Sequence, residues 1–364
     1  MKVLHVFKTY LPDSFTGIER VIHSISEGTS GMGVESTVLS LSRTPSGGFD
    51  TIGHHRGYQA KLDLYVASTG LSISVFGAFA DLAKQSDLIH FHFPWPMMDL
   101  VEALVPTGKP LLVTYHSDVV KQARLLVLYR PLMHHFLSRM DAIVATSPNY
   151  IASSSVLQRH LGKTTMIPIG LPPDRIVPSA ERMRYWQERV GSGYFLFVGA
   201  PRYYKGLNFL LDAARRSGLR VVVAGASADE LTSPLPAEVV AVGRVNDEDK
   251  EALLELSLAF AFPSHLRSEA FGVSLLEAAR AGKPMISCEI GTGTSYVNLH
   301  EQTGLVVPPA DVPALASAMQ QLNAAPDLAR VMGEVAKRRF HELFETGRMS
   351  LAYKVLYERL LAQR

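Results

Sequence analysis

A single cysteine, Cys288, stands among 364 residues, so no intrachain disulfide can form, which fits a reducing compartment. Cys288 ends the apolar run Met285-Ile286-Ser287, a buried-strand pattern that assigns it to a core. Excess charge is also lacking. The formal net charge is +2 and no run of five Lys or Arg occurs, which removes the global footprint of a nucleic-acid binder and leaves only local basic functions. Long apolar runs are missing as well. The longest uncharged stretch, 64–80, is interrupted by Ser, Thr and Gly, and reads as a strand at 64–67, a turn and a helix, not as a membrane span. The N-terminus enters the strand-like Val3-Leu4-His5-Val6-Phe7 without the charged, apolar and small-residue succession of a signal peptide, so the chain is expected in the cytoplasm.

Apolar residues make up 47% of the chain, enough for two cores of ordinary size. Short apolar strands alternate with helical periodicities such as Ile18, Val21, Ile22 and Ile25, at i, i+3, i+4 and i+7. That alternation predicts parallel sheets covered by helices on both faces. Strands are expected at 3–7, 37–41, 64–67, 88–93, 111–115, 142–145 and 165–168. A second series is expected at 194–199, 219–224, 239–242, 258–263, 285–288 and 305–307. Between the series, 170–177 with Pro168 just before it is a turn-rich break, which puts the domains at 1–172 and 173–345. After Pro326 the chain reads as helical, with Met349, Tyr353, Leu356, Leu360 and Leu361 as an apolar stripe.

Ligands of doubly wound sheets bind at the carboxyl ends of the strands, and the polar motifs fall there. Glu269 lies in a loop after the strand at 258–263, and Glu277 lies inside a helix opened by Gly272. Two arrangements fit: the carboxylates reach one ligand from two sides, with the amides of Phe271, Gly272 and Val273 between them, or Glu269 caps the helix and Glu277 is solvated. Gly199-Ala200-Pro201-Arg202-Tyr203-Tyr204-Lys205-Gly206 places two cations at a strand-to-helix turn, as a pyrophosphate site would or as a solvated loop would. Phe15-Thr16-Gly17-Ile18-Glu19-Arg20 is the equivalent turn near the N-terminus, where Gly17 would let a phosphate or sugar approach the backbone.

His116 follows the strand at 111–115, and both a cleft position and a core or capping one fit it. His90 and His92 share a strand face, but no third ligand is spaced to join them, so a packing or cleft-lining role is expected and no metal. Asp247-Glu248-Asp249 has a metal-binding form, yet it opens a helical run where capping accounts for it. The segment 121–139 mixes Lys121, Arg124, Arg130, His134, His135 and Arg139 with apolar residues, and suits either an anionic membrane surface or core packing. His54, His55, Arg56 and Lys61 are possible neighbours of such a surface.

Glu269 and Glu277 after a Pro-Ser strand end, with the upstream Arg202-Tyr203-Tyr204-Lys205-Gly206 and Thr16-Gly17-Ile18-Glu19-Arg20, resemble the retaining glycosyltransferases of family 4, which have the GT-B fold. The likeness runs from Val3 to the last helix and is nearest to bacterial mannosyl- and D-rhamnosyltransferases of O-antigen assembly. It rests on Lys8-Thr9-Tyr10-Leu11-Pro12-Asp13, Thr114-Tyr115-His116-Ser117-Asp118, the 263–269 loop and Glu289-Ile290-Gly291-Thr292-Gly293-Thr294-Ser295. Two departures stand out. Ala200 occupies the place where many relatives carry Arg, leaving that role to Arg202, and Thr16 replaces the first glycine of the usual pair.

The resemblance implies two Rossmann-like domains facing across a cleft, with helix 346–364 crossing back to the N-terminal domain. It implies an acceptor-binding first domain and a nucleotide-sugar-binding second one. Transfer would run from a GDP-sugar, without metal or other cofactor, to a polyprenyl-diphosphate-linked saccharide, with an alpha-1,3 linkage, at the inner face of the cytoplasmic membrane. Glu269 and His116 would act on the transferred sugar and Lys205 with Arg202 on the diphosphate. Glu277 would hold the ribose, and Val245 would lie by the base. A nucleotide-sugar epimerase and a non-catalytic sugar-nucleotide scaffold are the alternative readings.

Overall fold

The computed structural model describes residues 1–66, 69–119, 123–231 and 234–363. The strand and helix signals resolve into two α/β units, Met1–Gly170 with Thr346–Arg364, and Leu171–Glu345.

The first unit contains β1 (Lys2–Val6), β2 (Glu35–Ser42), β3 (Phe49–Ile52), β4 (His55–Lys61), β5 (Leu64–Val66), β6 (Thr69–Leu71), β7 (Leu88–Phe93), β8 (Leu111–Tyr115), β9 (Ala142–Ala145) and β10 (Thr164–Met166). Eight of them form one sheet in the order β10-β9-β8-β7-β1-β2-β4-β3. Its pairings are parallel apart from the edge strand β3, which runs antiparallel to β4. Central strands such as β7 are buried throughout, as expected where helices cover both faces.

Two strands differ from the pattern expected. The run at 64–67 does form a strand, at Leu64–Val66, but outside the large sheet: its three residues are exposed and pair with β6 in an antiparallel two-stranded hairpin, while Ala67 lies outside the described residues. β3 and β4 carry no apolar signal because β4 turns inward His55, Gly57, Gln59 and Ala60, which are polar or small.

The last helix, Thr346–Ala362, belongs to the first unit, where it packs against helix Gly17–Ser30. A Cβ at Gly28 would lie 2.0 Å from Ser350 Oγ, so only glycine permits that approach. Met349, Tyr353, Leu356 and Leu360 are buried as their spacing requires, but Tyr357 takes the place given to Leu361.

The second unit contains β11 (Phe195–Val198), β12 (Val221–Ala224), β13 (Val239–Gly243), β14 (Ala259–Phe262), β15 (Met285–Cys288) and β16 (Gly304–Val307), in the order β13-β12-β11-β14-β15-β16, all parallel. Cys288 is 3% exposed inside the apolar cluster of this sheet, and burial pushes its thiol up to about 12. In each sheet the strand order reverses at one place, between β1 and β7 and between β11 and β14. The loops leaving these strands diverge there and open a crevice.

Candidate functional site

The crevice of the second sheet lies between the loops that follow β11 and β14. The first loop carries Arg202 and a 3₁₀ turn, Tyr203–Lys205, before helix Leu207–Ser217; the second carries Ser264 to Glu269 before helix Val273–Arg280. They are fastened together: the His265 amide donates to the Tyr204 carbonyl at 2.9 Å. Gly206, at φ +65°, comes so near that a Cβ there would be 2.1 Å from the Pro263 carbonyl oxygen. The approach brings Lys205 Nζ to 3.1 Å from Glu269 Oε2, with only 15% and 14% of the two side chains exposed. Glu269 is steadied further by Ser264 Oγ at 3.5 Å and, through its carbonyl, by Thr292 Oγ1 at 2.8 Å.

Gly272 is the N-cap of helix Val273–Arg280 in the left-handed region, φ +88° and ψ +69°, and no side chain caps the amides that follow. The Leu275 amide bonds the Gly272 carbonyl at 2.9 Å, while those of Val273 and Ser274, at the first two helical positions, have no carbonyl within the helix to bond and can serve an anion or a sugar hydroxyl. Phe271 and Gly272 are buried and Val273 is half-buried. Arg202 is exposed at the mouth of its loop, and Val245 is half-buried just after Gly243-Arg244.

Glu277 does not join the Lys205–Glu269 pair. Its Oε1 accepts from Lys250 Nζ at 2.7 Å, and the same ammonium reaches Asp247 Oδ1 at 2.8 Å. Burial works against charge on Lys250, but Glu277 and Asp247 outweigh it and raise its pKa. Lys250 escapes a reading of motifs because a lysine in the amphipathic helix Asp247–Leu256 looks like a solvated face. The neighbouring acids have structural duties. Asn246 caps this helix by accepting from the Asp249 amide at 2.8 Å, Asp249 binds Arg182 and Trp186, and Glu248 accepts from the Ser179 amide.

In the first unit, Gly17 begins its helix with nothing within 4 Å of where a Cβ would stand, so the space above this turn is open. Glu19, buried three positions after Thr16, accepts from Thr9, Ser14 and Thr16 at 2.6, 2.9 and 3.0 Å and ties the loop after β1 to the helix start. His116, directly after β8, is 6% exposed, and burial lowers its pKa to about 3.

His90 and His92 do have a third histidine beside them. His5, opposite His90 on the adjacent β1, completes a buried trio whose ring nitrogens lie within 4.8 Å of one another. Sequence spacing missed it because His5 and His92 are 87 positions apart and meet only through strand pairing. Protein hydrogen bonds already use these nitrogens: His5 Nδ1 meets His92 Nε2 at 3.1 Å, while His90 meets Tyr357 and Thr114 at 2.8 and 2.7 Å.

The basic segment is helix Ala123–Arg139; Lys121 lies outside the described residues, as does the Arg124 side chain. Met133, Phe136 and Leu137 enter the core, whereas Val127 and Leu128 are 64% and 80% exposed beside exposed Arg130. Arg139 is committed to Glu102 at 2.7 Å and Tyr129 bonds Asp99, so these contacts dock the helix on Pro96–Leu104. His55 cannot join a cationic surface: it is buried, bonded to Glu27 and Tyr10, and burial lowers its pKa despite Glu27. Among the described residues, no helix is long and apolar enough to cross a membrane.

Residues 15–175 match the family model "Glycosyltransferase Family 4", and residues 180–339 match "Glycosyl transferases group 1". The chain is 50% identical over 357 residues to D-rhamnosyltransferase WbpZ of Pseudomonas aeruginosa, covering 94% of this chain and 92% of that one. It is 44% identical to O-antigen chain mannosyltransferase C of Escherichia coli over the full length of both. Among solved structures, sucrose-phosphate synthase from Thermosynechococcus elongatus superposes with a TM-score of 0.81 at 22% identity, over the full length of both, a likeness of fold.

Proposed function

The chain belongs to the family 4 glycosyltransferases of GT-B fold, and from that premise we propose that it transfers mannose or D-rhamnose, with retention, from a GDP-sugar to a lipid-diphosphate-linked saccharide of O-antigen. The observation that carries this reading is the Lys205–Glu269 pair at the switch point of the second sheet, flanked by the uncapped amides of helix Val273–Arg280. The names of the two bacterial relatives support the choice of sugars and of pathway.

In this reading the second unit binds the donor and the first the acceptor. Lys205 and Arg202 take up the charge that grows on the departing diphosphate, the work a divalent ion does in other transferases. Glu277, aimed by Lys250, holds the ribose hydroxyls; Val245 lies by the base. Glu269 and the amides of Phe271, Gly272 and Val273 orient the sugar, Gly17 leaves room for it or its phosphate, and His116 is assigned to the same sugar. The acceptor hydroxyl attacks the anomeric carbon on the leaving-group face as the bond to the phosphate oxygen breaks. That phosphate oxygen takes the hydroxyl proton, so no enzyme nucleophile is needed.

We place the enzyme at the inner face of the cytoplasmic membrane, held by Arg130, Arg124 and Lys121 with exposed Val127 and Leu128, and assign it an alpha-1,3 linkage. The direct test is calorimetry of GDP and UDP in EDTA. GDP is expected to bind the tighter of the two; a preference for UDP, or binding that appears only with magnesium or manganese, would refute the donor assignment.

A further inference from the structure

Three histidines of the first unit, His5, His92 and His116, form a file of hydrogen-bonded rings. β2, β1, β7 and β8 are consecutive in the sheet; the first three each contribute one polar group to a row across it, and His116, directly after β8, contributes the fourth. Ser36 Oγ lies 3.5 Å from His5 Nε2, His5 Nδ1 lies 3.1 Å from His92 Nε2, and His92 Nδ1 lies 3.0 Å from His116 Nε2. All four residues are 6% exposed or less. His90 stacks on His92 at 4.3 Å between centroids, but its nitrogens go to Thr114 and Tyr357, so it stands beside the file and not in it.

A neutral imidazole has one donor nitrogen and one acceptor nitrogen, so each contact in such a file dictates the next. Only two proton arrangements satisfy all three contacts, and they run in opposite directions. The Ser36 hydroxyl decides between them. His5 is its sole hydrogen-bond partner among the described residues, so if Ser36 accepted from His5 its own O–H would be a buried donor with nowhere to go. If Ser36 donates, an oxygen lone pair goes unused at this end, and the donor without a protein partner moves to His116 Nδ1, which is not among the unpartnered nitrogens closed to solvent, so water or a ligand can accept from it. The direction is then fixed: Ser36 donates to His5 Nε2, His5 Nδ1–H to His92 Nε2, and His92 Nδ1–H to His116 Nε2. His116 must carry its remaining proton on Nδ1, which has no protein partner among the described residues.

We propose that Ser36, His5 and His92 are positioning residues that hold His116 as the neutral Nδ1–H tautomer, presenting a hydrogen-bond donor to an oxygen of the sugar substrate. The inference rests on the reading of His116 as a sugar contact. Burial supports it by keeping all three rings uncharged, so the file orients a dipole and does not store a proton. Beside the file, His90 faces Tyr353 and Tyr357 of the last helix, whose phenols burial holds above their usual range, and burial lowers the pKa of His90 and of His55.

The test is ¹⁵N NMR of histidine-labelled protein, with the His116 signals assigned by His116→Gln, alongside turnover and GDP affinity. His116 is expected as Nδ1–H in the parent chain. Ser36→Ala, which removes one oxygen, and His5→Phe, which keeps a ring but no nitrogen, should each shift His116 toward Nε2–H. Both should lower turnover on the order of tenfold, the scale on which orienting partners of histidine act, with GDP affinity unchanged. Nε2–H in the parent, or a tautomer unmoved in Ser36→Ala, would overturn the proposal, and Ser36→Ala suffices if His5→Phe does not fold. If His116→Gln turns over normally while Ser36→Ala still shifts the tautomer, the file stands and the sugar-contact reading fails.

Discussion

Lys205 and Glu269 hold each other: the ammonium and the carboxylate proposed to act on diphosphate and sugar are 3.1 Å apart and largely withdrawn from solvent. Removing either leaves the other without its counter-charge, so their effects on catalysis cannot be independent. Lys205→Ala should lower turnover on the order of 10²-fold or more under saturating donor. Glu269→Ala should abolish transfer without weakening GDP binding, since it frees a cation for the diphosphate. The double variant should lose less than the product of the two single losses. A four-variant rate cycle checks this, and multiplicative effects would show that the pair is incidental.

Glu277 reaches its proposed ribose through Lys250. Lys250→Met should therefore weaken GDP binding in the same direction as Glu277→Ala, because the carboxylate loses the partner that aims it at 2.7 Å. Calorimetry of both variants is the check; normal affinity in Lys250→Met with a loss in Glu277→Ala would mean the ion pair has no part in orientation.

His5, His90, His92 and His116 all have pKa values lowered by burial, to about 3 for His5 and His116. The unfolded chain takes up protons at these groups near pH 6.5 while the folded chain does not. Stability is thus fully present above about pH 6.5 and falls as pH drops below it, by up to about 1.4 kcal/mol per pH unit for each histidine. Urea midpoints at pH 7, 6 and 5 should fall steeply. A midpoint constant from pH 7 to 5 would contradict the burial of this group.

The exposed pair Val127 and Leu128 beside Arg130 bears on membrane contact. Each cation near an anionic surface is worth about 1 kcal/mol, so changing Lys121, Arg124 and Arg130 to Gln should release the protein from anionic vesicles while sparing activity on a short soluble acceptor. Cosedimentation decides it: a triple variant that binds like the parent would assign this helix to packing alone.

How much of this was legible in the sequence depended on whether the signal was local. β7, β8, β9 and β15 lie where their apolar runs place them, and Asn246 caps its helix as its position suggests. β4 was missed because a strand that buries His55, Gly57 and Gln59 has no hydrophobic pattern to read. Leu64 to Val66 is a strand as its apolar run predicts, but it stands exposed in a hairpin outside the large sheet, which the run alone does not reveal. At the candidate site, Lys205 and Glu269 stood out because each sits in a loop after a strand. Lys250 and His5 did not, since their partners Glu277 and His92 come from other elements and only strand pairing and helix packing bring them together.

The most direct measurement is the anomeric configuration of the product formed from GDP-mannose or GDP-D-rhamnose and a synthetic polyprenyl-diphosphate-linked saccharide, read by NMR with EDTA present. The account predicts transfer with the donor's α configuration retained. A β-linked product, transfer from UDP-sugars but not from GDP-sugars, or a requirement for a divalent ion would contradict it.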